Sequence, residues 1–252
     1  MWNNNNNNNW GNNQGGGWGG NRNPYGGGAS QPAVYSQATS MTDRSSLVTK
    51  VMWFTSFSII AAMAGAWTGA FQLKLTSFSG GTWILMLIAE IGLMIGAFAL
   101  RERSGINFVM LYGFTFVTGL TISPIIHLLT DTGNGGIIIQ ALGATAGLTV
   151  ALSFYAWTTK RDFSGFGPYL FVAVIGLVIV GLLNMFFHSA MLQSVIMYAG
   201  VLIFSFYLIF DVQRTKNFQN TVGNAIALTI SIYLDILNLF LFILQILLSF
   251  RD

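Results

Sequence analysis

The stretch Ala225–Ser249, AIALTISIYLDILNLFLFILQILLS, contains one acidic or basic side chain, Asp235, in a mainly apolar run. A helix rises 1.5 Å per residue, so this stretch is long enough to cross the roughly 30 Å of hydrocarbon in a bilayer. It reads as a membrane span. Within it Ser231, Asp235, Asn238 and Gln245 follow one another at steps of four, three and seven, which gathers them on one helix face. Such a stripe is expected to face other helices rather than lipid, as a functional site or as a hydrogen-bonded seam that only holds helices together.

Six further apolar runs lie upstream, near 51–71, 82–100, 106–129, 137–157, 166–187 and 191–210. With the last they predict an all-α polytopic membrane protein of seven transmembrane helices. Composition agrees: soluble domains usually carry about 25% charged residues, whereas this chain has 8%, with 53% hydrophobic residues and a mean hydropathy of +0.61. Gly92 and Gly96 stand at the small-xxx-small spacing that favours close helix packing in lipid.

Residues 1–45 are of another kind. They are mainly Asn, Gly, Gln and Ser with scattered Trp2, Trp10, Trp18 and Tyr25, a mixture with too little apolar area to offset chain entropy. They read as a disordered tail without the basic start and short apolar stretch of a secretory signal, leaving 46–252 as the transmembrane domain.

Several function classes lose support. Eleven Lys and Arg against eight Asp and Glu include no basic run, so nucleic acid is not an expected partner. The absence of Cys excludes thiolate catalysis and Cys-based metal sites, and His127 and His188 are too far apart in sequence to suggest a zinc centre. No GxSxG, HExxH, phosphate-loop or dinucleotide fingerprint occurs in a suitable context. The chain is therefore read as a non-enzyme without a cofactor, and His127 as an interface residue near Asp131 rather than a base.

Loop charges predict orientation. The tail and the loops after spans two, four and six hold Arg22, Arg44, Lys50, Arg101, Arg103, Lys160, Arg161, Arg214 and Lys216, and the other set holds only Lys74 and Arg251. By the positive-inside rule the N-terminus is cytoplasmic and the C-terminus external.

Ionisable groups at membrane depth are costly and mark function; the carboxyls in question are Glu90, Asp211 and Asp235. Asp211 closes span six in YLIFDVQRTK and, with Arg214 nearby, could be an ordinary interface residue. Asp211 and Asp235 are, however, equidistant from Gly223, so antiparallel helices with equal arms would bring them to one depth. Two carboxyls in a poorly solvated site cannot both ionise cheaply, and such a pair can share a proton or bind a hard cation such as Ca²⁺. Arg101 reads either as a membrane-surface anchor beside Arg103 or as a counter-ion reaching the pair. Glu90 reads either as a structural carboxyl or as a cation-path ligand, and Asn238 as a further oxygen donor on that path.

At AEIGLMIGAFALRERSG (89–105), FTFVTGLTISPI (114–125), FSFYLIFDVQRT (204–215) and ALTISIYLDILNLFLFILQIL (227–247) the chain resembles the transmembrane Bax inhibitor motif family, in its bacterial Bax inhibitor-1-like branch. The resemblance implies six helices wrapped around a central C-terminal helix, a pH-sensitive calcium leak, Asp211 and Asp235 as the sensor pair, Arg101 as its latch and Glu90 as the family's mid-helix glutamate. It implies Ca²⁺ as the transported ion and the bacterial inner membrane as the location. A rival reading is a non-conducting regulator of a membrane protease or of a stress response. An intramembrane aspartyl protease is disfavoured, because the aspartates sit in IFDVQ and YLDIL without a GxGD context.

Overall fold

The computed structural model describes residues 41–251, so most of the tail expected to be disordered, residues 1–40, lies outside them. Seven long helices follow in order: α1 Met41–Trp67, α2 Gly80–Ala99, α3 Ile106–Asp131, α4 Gly135–Thr158, α5 Gly167–Phe187, α6 Ala190–Arg214 and α7 Val222–Ser249. All seven are long and apolar enough to cross a membrane, and no strand occurs among the described residues. Each coincides with a predicted span. The largest boundary difference is at α1, which begins at Met41 rather than near residue 51 and therefore includes the last residues of the stretch read as tail.

The C-terminal helix forms the axis. α7 packs against α1, α2, α3, α4 and α6, while α5 lies against α6 and does not reach α7. Fully buried Ala225, Ile226, Ile230, Leu239 and Leu244 mark α7 as interior along its length, whereas α5 turns Phe171, Val172, Met185 and Phe186 outward. Apolar surface on the outer helices has no reason to turn inward when the solvent is hydrocarbon.

The closest helix contact is between α1 and α3. A side chain at Gly65 would collide with the Phe116 carbonyl, one at Gly69 with Ser123, and one at Gly119 with the backbone of Ala62 and Ala66. Gly65 and Gly69 therefore form a working small-xxx-small pair against Gly119 and Ser123. Of the two glycines singled out in sequence, Gly96 meets only Met110 Sδ and Gly92 faces open space.

Pro124 lies inside α3 and has no N–H to donate to the Leu120 carbonyl one turn back. The Ser123 hydroxyl donates to that carbonyl at 2.7 Å, which keeps the helix continuous. α1 ends in a π-helical turn at Thr68–Gln72, followed by Lys74 in the left-handed region at φ 50°.

The basic connections collect at one end of the bundle. Lys50 Nζ donates to Asn220 Oδ1 at 2.9 Å, Asn220 Nδ2 to Ser46 Oγ at 2.8 Å, and Gln213 Nε2 to the Arg161 carbonyl at 2.9 Å. Lys216 Nζ caps the end of α4 through the carbonyls of Ala156 and Trp157, and partial burial holds this ammonium below the ordinary lysine range. Asp162, in the exposed α4–α5 connection, accepts from Ser164 N–H at 2.8 Å and is held below the usual carboxylate range by that bond.

Candidate functional site

Asp211 and Asp235 meet inside the bundle. Their residues are 4% and 3% exposed, and their carboxyl groups lie within hydrogen-bonding reach of one another. A hydrogen bond between two carboxyl groups requires a proton on one of them, so proximity alone makes protonation part of the site's chemistry. No protein donor reaches Asp235 Oδ2 among the described residues. Arg214, one turn beyond Asp211, places Nη1 2.7 Å from Asp211 Oδ1.

The two aspartates do not meet for the reason that sequence symmetry suggests. α6 ends three residues after Asp211, whereas α7 begins thirteen residues before Asp235, so the arms are unequal. The segment 215–221 supplies the remaining depth. Register is set further along the pair: Gln193 Nε2 donates to Gln245 Oε1 at 3.1 Å, Phe204 stacks on Phe242 at 5.9 Å, and Gly200 leaves room for the Phe242 ring.

Arg214 is the nearby cation that sequence reading assigned only to an interface pairing. It is about one-third exposed, and its guanidinium is held by Phe210 and Phe218, with ring centroids at 5.4 and 5.3 Å. Arg101, expected as a latch, is placed elsewhere: its Nε is 3.6 Å from Glu102 Oε1, and its carbonyl accepts from Asn107 Nδ2 at 3.0 Å. Asn107 is almost fully buried and also accepts from the Phe108 N–H, so the α2–α3 turn is pinned with Arg101 on its exposed side. The i,i+3 spacing of Asp211 and Arg214 was the available sequence signal, since residues three apart share a helix face.

Glu90 occupies a separate interior position. Its carboxyl lies near Thr121 on α3 and in the field of Tyr233 on α7, and Oε1 has no hydrogen-bond partner among the described residues. No Lys or Arg forms an ion pair with it there. Tyr233 packs edge-on against Phe114 at 5.9 Å, with its hydroxyl beside Thr118. Asn238 turns its amide back to the Leu234 carbonyl at 2.8 Å, leaving its oxygen as the only free coordinating atom of that side chain. Groups of three or more His, Cys, Asp or Glu able to hold a metal ion are absent among the described residues. A Ca²⁺ at the pair would thus draw on Asp211 and Asp235 plus carbonyl or water oxygens, fewer carboxylates than a dedicated site uses.

Residues 44–252 match the family described as Bax1-I, inhibitor of apoptosis-promoting Bax1. The chain belongs to this family. It is 37% identical over 201 residues to an uncharacterized protein of Campylobacter jejuni, covering 77% of this chain and 84% of the relative. It is 31% identical over 208 residues to inner membrane protein YbhL of Escherichia coli K12, covering 77% and 87%. A viral relative, the Golgi anti-apoptotic protein of vaccinia virus, is 32% identical over 174 residues, covering 68% and 71%. This Bax1-I protein is accordingly an integral membrane protein, and its match begins where the Asn/Gly-rich stretch gives way to α1.

Proposed function

We propose that this Bax1-I protein is a passive, pH-sensitive cation leak with Ca²⁺ as its ion, in which a proton shared by Asp211 and Asp235 sets the relation of α6 to α7. The observation that carries this reading is the contact of two buried carboxyls on adjacent membrane helices, with a guanidinium at the open side. Removing the shared proton places two negative charges in contact in a low-dielectric interior, which favours separation of the helices that carry them. Arg214 moderates that repulsion at the Asp211 side, and Glu90 and Asn238 offer oxygen ligands further along the interior. The basic connections at the Asp211 end support a cytoplasmic N-terminus in a bacterial inner membrane. Cysteines introduced at Ser45 and Ser249 should then react from opposite faces.

The test is Ca²⁺ flux into liposomes containing only this chain, measured from about pH 5 to about pH 9, where a coupled carboxyl pair can change protonation. Flux should vary with pH in the unmodified protein and be nearly flat in Asp211→Asn/Asp235→Asn. Each single variant should flatten the curve nearly as much as the double. Independent, additive effects would remove the shared proton from the mechanism.

A second reading is a non-conducting regulator of another membrane protein, such as a protease. It is favoured by a cavity of about 420 Å³ that is walled mainly by apolar side chains such as Ile59, Ile122, Leu142 and Phe240 and by no carboxylate. Folded protein that inserts correctly and passes no ion at any pH in that assay would select it.

A further inference from the structure

α1 and α4 do not pack against each other, and the space between them is the 420 Å³ cavity, floored by α3 and α7. Met63, Trp67, Leu142 and Val150 on its walls are exposed, so the cavity is a groove that opens sideways at hydrocarbon depth. Its α4 wall runs from Ile138 to Val150, about 18 Å of helix and close to one leaflet's share of the hydrocarbon. A cavity of about 150 Å³ already holds a benzene ring, so this one has room for a long stretch of an apolar chain.

At the end where α1 and α3 finish, a second cavity of about 210 Å³ adjoins the first, and Phe71 lines both. Beside Ala70 and Phe71, its walls carry charged and polar groups: Lys74, His127, Thr130 and Asp131. Lys74 and Asp131 are exposed and form no ion pair with one another among the described residues. Two charges of opposite sign held around one pocket suit a ligand that itself carries both.

We propose that the two cavities form one site for a single phospholipid with a primary-ammonium, zwitterionic headgroup, a phosphatidylethanolamine. Its acyl chain lies in the α1–α4 groove, its phosphate faces Lys74 and His127, and its ammonium faces Asp131. A fatty acid or phosphatidylglycerol would satisfy Lys74 but set an anion beside Asp131 with nothing to offset it. A choline headgroup carries the needed charge but no N–H to donate to the carboxylate. The occupied groove would touch α7 at Tyr233, Ile236 and Leu237, on either side of Asp235.

The full chain is reconstituted in phosphatidylcholine vesicles doped with phosphatidylethanolamine, phosphatidylcholine or phosphatidylglycerol carrying a photoreactive group on one acyl chain, and adducts are mapped by peptide mass spectrometry. Phosphatidylethanolamine should label groove residues such as Met63 and Leu142 several-fold more than the other two lipids. Asp131→Asn and Lys74→Gln, both at exposed positions, should each reduce that labelling to the phosphatidylcholine level, and Ala146→Phe should drive adducts out of the groove. Equal capture of all three headgroups, labelling spread evenly over the exposed face of α5, or unchanged phosphatidylethanolamine capture in Asp131→Asn would each overturn the site. None of these measurements depends on ion flux, so failure here and failure of the leak reading are distinguishable.

Discussion

Where α1 meets α3 the two backbones touch, and where α6 meets α7 side chains stand between them. At the first contact Gly119 faces main-chain atoms of Ala62 and Ala66; at the second, Gly200 faces the ring of Phe242. A backbone cannot retreat without moving a helix, whereas a ring can turn. The α1–α3 pair is therefore built as a fixed frame. The α6–α7 pair, carrying two aspartates, a guanidinium and two glutamines, is held by groups whose attraction depends on protonation and geometry.

The largest effect that would test this contrast comes from adding a single methyl group. Gly119→Ala should destabilise the protein by about 3 kcal/mol, at the upper end of ordinary overpacking costs. Gly200→Ala should come out near zero, because alanine favours the helix by about 1 kcal/mol over glycine and that gain offsets the displacement of the Phe242 ring. Gly92→Ala, with open space around it, should be neutral or slightly stabilising. Thermal unfolding in a single detergent would rank the three. Equal costs at Gly119 and Gly200 would erase the distinction between frame and adjustable contact.

Next in size is the choice of cation at the aspartate pair. Asp211 is buried, and removing Arg214 leaves its charge without the partner that compensates it, so Arg214→Ala should shift the pH dependence of flux strongly. Arg101→Ala should leave that curve within about twofold, the scale of an exposed ion pair. A larger effect at Arg101 than at Arg214 would mean that the arginine reaches the pair in a conformation with α2 closer to α6.

These contrasts also separate what the sequence could convey from what it could not. Hydropathy is a sum over neighbours, so seven spans are legible in the sequence, but of the stripe Ser231–Asp235–Asn238–Gln245 only Asp235 is buried, because α7 is surrounded by helices and its apolar residues on other faces, such as Ile226, Ile230 and Leu244, are interior too. Helix register is not local. Gln193 and Gln245 are far apart in the chain, and only their bond and the Phe204–Phe242 stack explain why aspartates on unequal arms meet. The same limit applies to the glycines: Gly65–Gly69 and Gly92–Gly96 have identical spacing, and only the position of α3 decides which pair allows close approach. The sequence pointed to Arg101 and left Arg214 as an interface residue, because Asn107 pins the α2–α3 turn through contacts that no motif announces.

The smallest effect concerns the glutamine bridge, which tests whether α6–α7 is held at one end or along its whole length. Asn184 Nδ2 donates to Gln193 Oε1 at 3.0 Å, and Gln193 Nε2 to Gln245 Oε1 at 3.1 Å, so one side chain joins α5, α6 and α7 at the end remote from Arg214. Hydrogen bonds between membrane helices average only about 0.6 kcal/mol, because the separated helices also find partners. A double-mutant cycle of Gln193→Leu and Gln245→Leu should return a coupling of about that size, and each variant should leave the pH dependence of flux unchanged. The two readouts must diverge if the ends are independent: stability falls slightly while the response of the carboxyl pair stays put. Should Gln245→Leu instead displace the flux curve as far as Asp235→Asn does, α7 would be moving as a rigid rod about its glutamine end. The aspartates would then report that motion rather than control it.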